Sequence, residues 1–161
     1  MNVIKSIRKS FNLFFPKFYT LTQLILFLTA CAYFAYLYIT MLMNHIDLKT
    51  VLTSDPYSSI MLVTVLLNLL VAYLMWQKSA VILANKQTFK LTLIPLSICQ
   101  LLLGNLIAFI VIVATVFTSN RQLSIRNVAV SSKQNYLLIS LVIFFCFLYT
   151  LSFLIILSLI F

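Results

Sequence analysis

Of 161 residues, 63% are hydrophobic and 8% charged, where a water-soluble chain would carry about a quarter charged. The formal charge is +9, but the basic residues all lie outside the long apolar runs, so the charge reads as membrane topology and no nucleic-acid partner is expected. The seventeen residues before the first apolar run fall far below the ~50 a soluble domain needs, so residues 1–161 read as one membrane domain.

Four stretches, 18–46, 56–77, 91–120 and 134–161, contain no Asp, Glu, Lys or Arg, and all thirteen charges lie in the 52 positions between them. Lipid offers backbone N–H and C=O groups no partners, so runs of this length persist there only as helices. The fold class expected is an all-α integral membrane protein: a bundle of four transmembrane helices, at about 19–43, 58–77, 91–118 and 136–160, preceded by a short amphipathic interfacial helix.

That first helix occupies residues 1–17. Ile4, Ile7, Phe11, Phe14 and Phe18 recur at intervals of three and four with Lys5, Arg8, Lys9 and Asn12 between them, until Pro16 interrupts the register. Lys5, Arg8, Lys9 and Lys17 are expected to contact anionic lipids of the cytoplasmic leaflet, each contributing about 1 kcal/mol. In span 1, Leu28-Thr29-Ala30-Cys31 matches a lipoprotein cleavage box, but the apolar run continues through Met43, as a transmembrane helix does and a processed signal does not. Tyr33 and Tyr36 share a face in its outer half, where they either reach the interface or, with Cys31, line an outward cavity.

Loop 1 holds Lys49 and the only acids, Asp47 and Asp55, close to the sole histidine, His45. His45 and Asp47 are spaced for two metal ligands or an acid and a base, yet so few hydrophilic groups in a loop are ordinarily solvated. No catalytic, cofactor-binding or metal-ligating residue is assigned. In span 2, Thr64 and Asn68 lie four apart on one face. In span 3, Ser97, Gln100 and Gly104 share a face with Asn105 alongside, and Pro95 marks a helix start or a kink. Because spans 2 and 3 run antiparallel, Asn68 is expected to meet Gln100 or Asn105 as interhelical hydrogen bonds worth ~0.6–2 kcal/mol, with Gly104 permitting close approach. Cys31, Cys99 and Cys146 read as small apolar packing residues, and Tyr19, Tyr57, Trp76 and Tyr136 as an interfacial belt.

Four crossings put Lys5, Arg8, Lys9, Lys17, Lys78, Lys86 and Lys90 on one side and Lys49, Arg121, Arg126 and Lys133 on the other. Seven against four places both termini in the cytoplasm. The basic loop 3 is the discordant element. A re-entrant hairpin around Gly104 and Asn105 would return it to the cytoplasm, but legs of about thirteen residues within 91–118 fall short of the ~20 needed to span.

With no charge inside the spans and no redox motif, the expected function is non-enzymatic: an accessory, regulatory or self-protection partner of a larger membrane complex. The alternative is a small oligomeric transporter or channel with a polar path at Asn68, Gln100 and Asn105. A membrane enzyme at His45, Asp47 and Asp55 ranks last. The expected partners are membrane lipids and a larger membrane protein or further copies of the chain, and the Leu-, Ile-, Phe-, Asn- and Lys-rich composition suggests a bacterial plasma membrane.

Overall fold

The computed structural model describes the backbone of residues 2–122 and 132–160 and the side chains of residues 17–119 and 133–160. Among the described residues the chain forms seven helices and no strands: α1 (Asn2–Asn44), α2 (Leu48–Ser54), α3 (Pro56–Gln77), α4 (Ser79–Ile82), α5 (Lys86–Leu102), α6 (Leu106–Gln122) and α7 (Ser132–Ile160). Three segments are long and apolar enough to cross a membrane: Lys17–Asn44 of α1, all of α3, and Lys133–Ile160 of α7.

Local sequence sets the boundaries. α1 runs unbroken through Pro16, where a separate interfacial helix was expected. The side chains of Lys5, Arg8 and Lys9 lie outside the described residues. α1 closes at His45, whose φ of 52° is left-handed, with Ile46 N donating to Met41 O. α3 opens with Pro56 at its first position, where a missing N–H costs nothing, and with the Asp55 carboxylate accepting from Tyr57 N and Ser58 N. Asn85 caps α5 by accepting from Gln87 N.

Where one span over 91–118 was expected, the chain breaks at Leu103-Gly104-Asn105 and turns back. Asn105 N donates to Gln100 O (2.9 Å) and Gly104 N to Leu101 O (3.0 Å), which is the Schellman closure of a helix on a left-handed residue. Gly104 supplies that conformation with φ 74°. Asn105 then starts α6, its Oδ1 accepting from Ala108 N at 3.3 Å. Gly104 thus serves a left-handed turn in place of the close helix approach expected of it. Each leg has 17 residues and not thirteen, because α5 begins back at Lys86 and α6 continues to Gln122.

Interhelical hydrogen bonds fix the directions. Tyr19 Oη donates to Met75 O (2.7 Å) and Tyr33 Oη to Ser58 O (2.6 Å), so α1 and α3 are antiparallel. The hydroxyls of Thr22 and Thr115 share a 3.0 Å bond, setting the far end of α6 beside the start of the apolar part of α1. Thr88 Oγ1 donates to Asn135 Oδ1 (3.3 Å) and Tyr149 Oη to Asn68 Oδ1 (2.7 Å), so α7 runs parallel to α5 and antiparallel to α3. The hairpin α5–α6 therefore rises from the Lys17 end of the bundle and returns to it. The Lys17 end of α1 and the Ile160 end of α7 therefore lie at opposite ends of the bundle, in place of the shared side expected from four crossings.

The hairpin packs through α6 against α1 and through α5 against α7. Leu26, Met75, Ile82, Phe89, Leu93 and Ile112 are fully buried in this half. Tyr19, expected at an interface, is 3% exposed and belongs to this core.

No atom lies within 4 Å of where a Cβ would stand on Gly104, so substitution there strains only the backbone. Gly104→Ala should lower stability by about 1–3 kcal/mol, while Gly104→Asn, a residue that tolerates the left-handed region, should lose clearly less. Thermal unfolding in detergent micelles measures both.

Candidate functional site

The hairpin tip is polar because a turn within an apolar bundle leaves backbone groups in need of partners. Gln100, fully buried on the last turn of α5, donates from Nε2 to Asn68 Oδ1 (2.8 Å) and accepts at Oε1 from Asn105 Nδ2 (2.8 Å). Asn68 Oδ1 also accepts from Tyr149 Oη. One amide chain thus joins α3, α5, the start of α6 and α7. Tyr149 has no part in the sequence reading, because a tyrosine in a span rich in Phe, Leu and Ile looks like bulk. Its mid-span hydroxyl, costly without a partner, is the signal that would have found it.

Above the tip, between α1 and α3, lies a cleft of about 400 Å³. Its floor is Thr64, Val65, Asn68 and Gln100, all buried, and its rim includes the exposed Ala32, Tyr36 and Gly104. Asn68 stands twelve residues into α3, about 18 Å from the α2 end at 1.5 Å per residue. Tyr33, with its ring 5.9 Å from that of Tyr36, also lines the cleft, whereas the exposed Cys31 is not among the lining residues. Among the described residues Thr64 Oγ1 is the one buried side-chain polar atom without a hydrogen-bond partner. Ser97, grouped with these residues by spacing, instead donates to Ile94 O within its own helix (2.7 Å).

The loop residues are arranged differently. The Asp55 carboxylate caps α3 and accepts from the Ser58 hydroxyl as well as two backbone N–H groups. Those donors, Ser58 Oγ first, hold its pKa below the ordinary carboxylate value. Asp47 precedes α2 without a side-chain cap bond, and His45 occupies the left-handed closure of α1. None of the three lines the cleft. Among the described residues no group of three His, Cys, Asp or Glu side chains is placed to hold a metal ion. Neither a family model, nor a curated protein, nor a solved structure matches this chain.

Two measurements probe these assignments. Asn68→Leu and Gln100→Leu should each lower stability in detergent, and the double variant should reveal coupling of about 0.6–2 kcal/mol; strict additivity would dissolve the network. The Asp55 cap makes its contribution above the ordinary carboxylate pKa of 3.8 and loses it as pH falls through the lowered native value. Asp55→Asn, which caps without titrating, should reduce the loss of stability on acidification while leaving neutral-pH stability nearly unchanged.

Proposed function

We propose that this chain is a non-catalytic integral membrane protein, an accessory, regulatory or self-protection subunit of a larger membrane complex, whose working surface is a largely apolar cleft with amides in its floor, open to one side of the membrane. The observation supporting this is the asymmetry of the bundle. The interior of the half filled by the hairpin is closed by Tyr19, Leu26, Met75, Phe89 and Leu93, each 3% exposed or less, and the groove of about 360 Å³ on its surface beside Leu24, Phe27 and Trp76 is apolar, whereas the cleft of the other half has buried amides in its floor. A pore requires a polar path through both halves, and the packed half favours binding over conduction. The Asp55 carboxylate is committed to a helix cap, which leaves the loop little chemistry to offer.

A partner is favoured by an incomplete wall. α1 packs on α3 and α6, and α7 on α3 and α5, but α1 and α7 are not packing partners. The hairpin stands between them only as far as its tip. Beyond it, a helix of another subunit would complete the enclosure that this chain leaves unfinished.

Orientation follows from the same hairpin. With α5 and α6 starting and ending at one face, we assign Lys78, Lys86, Lys90, Arg121 and Lys133 to the side of Lys17, together with Lys5, Arg8 and Lys9 before the first span and, by its position in the sequence between α6 and α7, Arg126. Lys49 alone faces the other way. A count of ten to one in place of seven to four removes the discordance of loop 3 and supports an orientation with the hairpin's feet in the cytoplasm, among anionic lipids, and the cleft outside. The Ile160 end of α7 is then external, and a bacterial plasma membrane suits the composition.

Single cysteines at Lys49, Lys86 and Lys133, in a background lacking Cys31, Cys99 and Cys146, test this. A membrane-impermeant thiol reagent should label position 49 in intact cells and positions 86 and 133 only after permeabilisation; labelling at 133 in intact cells would restore four crossings. Liposomes holding the purified protein should show no ion current above empty vesicles. A current whose selectivity shifts with Gln100→Leu, at unchanged stability, would favour the small oligomeric channel instead.

A further inference from the structure

We propose that the cleft between α1 and α3 is a binding site for a small uncharged solute carrying a hydroxyl or carboxamide group, held by Thr64 and Asn68. The inference rests on the outward cleft described above and adds the class of its ligand.

The starting point is Thr64. A helical threonine commonly returns its hydroxyl to the carbonyl four residues earlier, as Thr22, Thr40, Thr92 and Thr150 do here. Thr64 makes no such bond and, at 4% exposure, has little access to bulk water. A buried hydroxyl without a partner is costly, and this one lines the cleft, so the cleft's occupant is its natural partner. One turn along the same face stands Asn68, whose Oδ1 accepts from Gln100 and Tyr149. Its Nδ2 takes no part in those bonds. The residues of the floor thus include a hydroxyl that both donates and accepts, reached once the Thr64 side chain turns toward an occupant, and, one turn along, an amide N–H₂ that donates, the complement of a group combining an acceptor oxygen with a donor hydrogen.

Charge and size narrow the ligand further. No Asp, Glu, Lys, Arg or His lines the cleft, so a cation or anion would lose its hydration there without a counter-charge. A volume of about 400 Å³ falls at the small end of small-molecule sites, ~300–1,000 Å³. The lining side chains of Ala32, Met61 and Val65 are apolar and suit a short aliphatic body. Tyr33 also lines the cleft, with its hydroxyl already committed to Ser58 O.

The test uses the full-length protein in liposomes of outward orientation, without its native cysteines. Thr64→Cys at the floor and Tyr36→Cys at the rim are each treated with a small hydrophilic thiol reagent from outside. Both should label, whereas a cysteine at the fully buried Ala30 should not. Acetamide, as an uncharged amide probe, should slow labelling at 64 several-fold relative to 36, and acetate and choline at the same concentration should not. Should Thr64→Cys fail to fold, Val65→Cys on the same floor serves in its place. Labelling at 36 with none at the floor would overturn the outward cleft itself. Floor labelling that acetamide does not slow, or that acetate and choline slow equally, would leave the cleft standing and overturn the assignment of an uncharged ligand. Thr64→Val added to Val65→Cys in the same background gives an independent readout: loss of the acetamide effect on labelling at 65 supports the hydroxyl's role, and an unchanged effect removes Thr64 from the site.

Discussion

The architecture depends on one chain reversal inside an apolar bundle. Ending α5 and starting α6 partway along the bundle exposes up to four carbonyls and four N–H groups where apolar neighbours offer no partners. Gly104 and Asn105 meet most of that demand within three residues: the left-handed glycine folds two N–H groups back on the carbonyls of Gln100 and Leu101, and the asparagine caps the next helix. Asn105 Nδ2 then holds Gln100, and Gln100 holds Asn68 on α3. The turn is anchored to a full-length helix by side chains and not by packing alone. The single glycine of the chain stands at the position where a left-handed turn requires it.

Once the reversal is fixed, the two halves of the bundle diverge. Where the hairpin is present, the helices are tied by hydroxyls, Tyr19 to the Met75 carbonyl and Thr22 to Thr115, with Phe89 packed 6.4 Å ring to ring from Tyr19. Such bonds satisfy the tyrosine and threonine oxygens and leave an otherwise apolar interior. Where the hairpin is absent, α3 has to face a space that no helix of this chain fills. Thr64 and Asn68 are the residues of α3 at that boundary, which is why one has a partner on only one side and the other has none.

Three long helices were legible because hydropathy over about twenty residues is a sufficient signal for length. The fourth was misread for a physical reason. Leu101–Leu103 and Leu106–Val113 are apolar on both flanks of Gly104-Asn105, and hydropathy does not register a change of direction. Two local signals did: the Gly-Asn pair, and the basic Arg121, Arg126 and Lys133 left stranded on the wrong side. The leg-length objection overrode them because Lys86 and Lys90 were assigned to a loop, whereas they lie on the first turns of α5. Spacing brought Asn68, Gln100 and Asn105 within reach of each other but could not show Tyr149, whose pairing depends on α7 running parallel to α5, a consequence of the hairpin. The missing bond at Thr64 was likewise invisible, since it follows from what is absent above the tip.

The neutrality of the tip has its own electrostatic logic. A helix ending at mid-membrane carries a partial negative charge at its C-terminus, and one beginning there a partial positive charge at its N-terminus, each equivalent to about half an elementary charge. In the hairpin these two ends are separated by only three residues, so their fields largely cancel and neither a lysine nor a carboxylate is required to compensate them. Uncharged amides suffice, and Asn68, Gln100 and Asn105 are the side chains that the chain places there. A lone half-helix would have left a net partial charge and selected an ion. The paired helix ends leave hydrogen-bonding capacity without net charge, which the uncharged amides of Asn68, Gln100 and Asn105 take up among themselves.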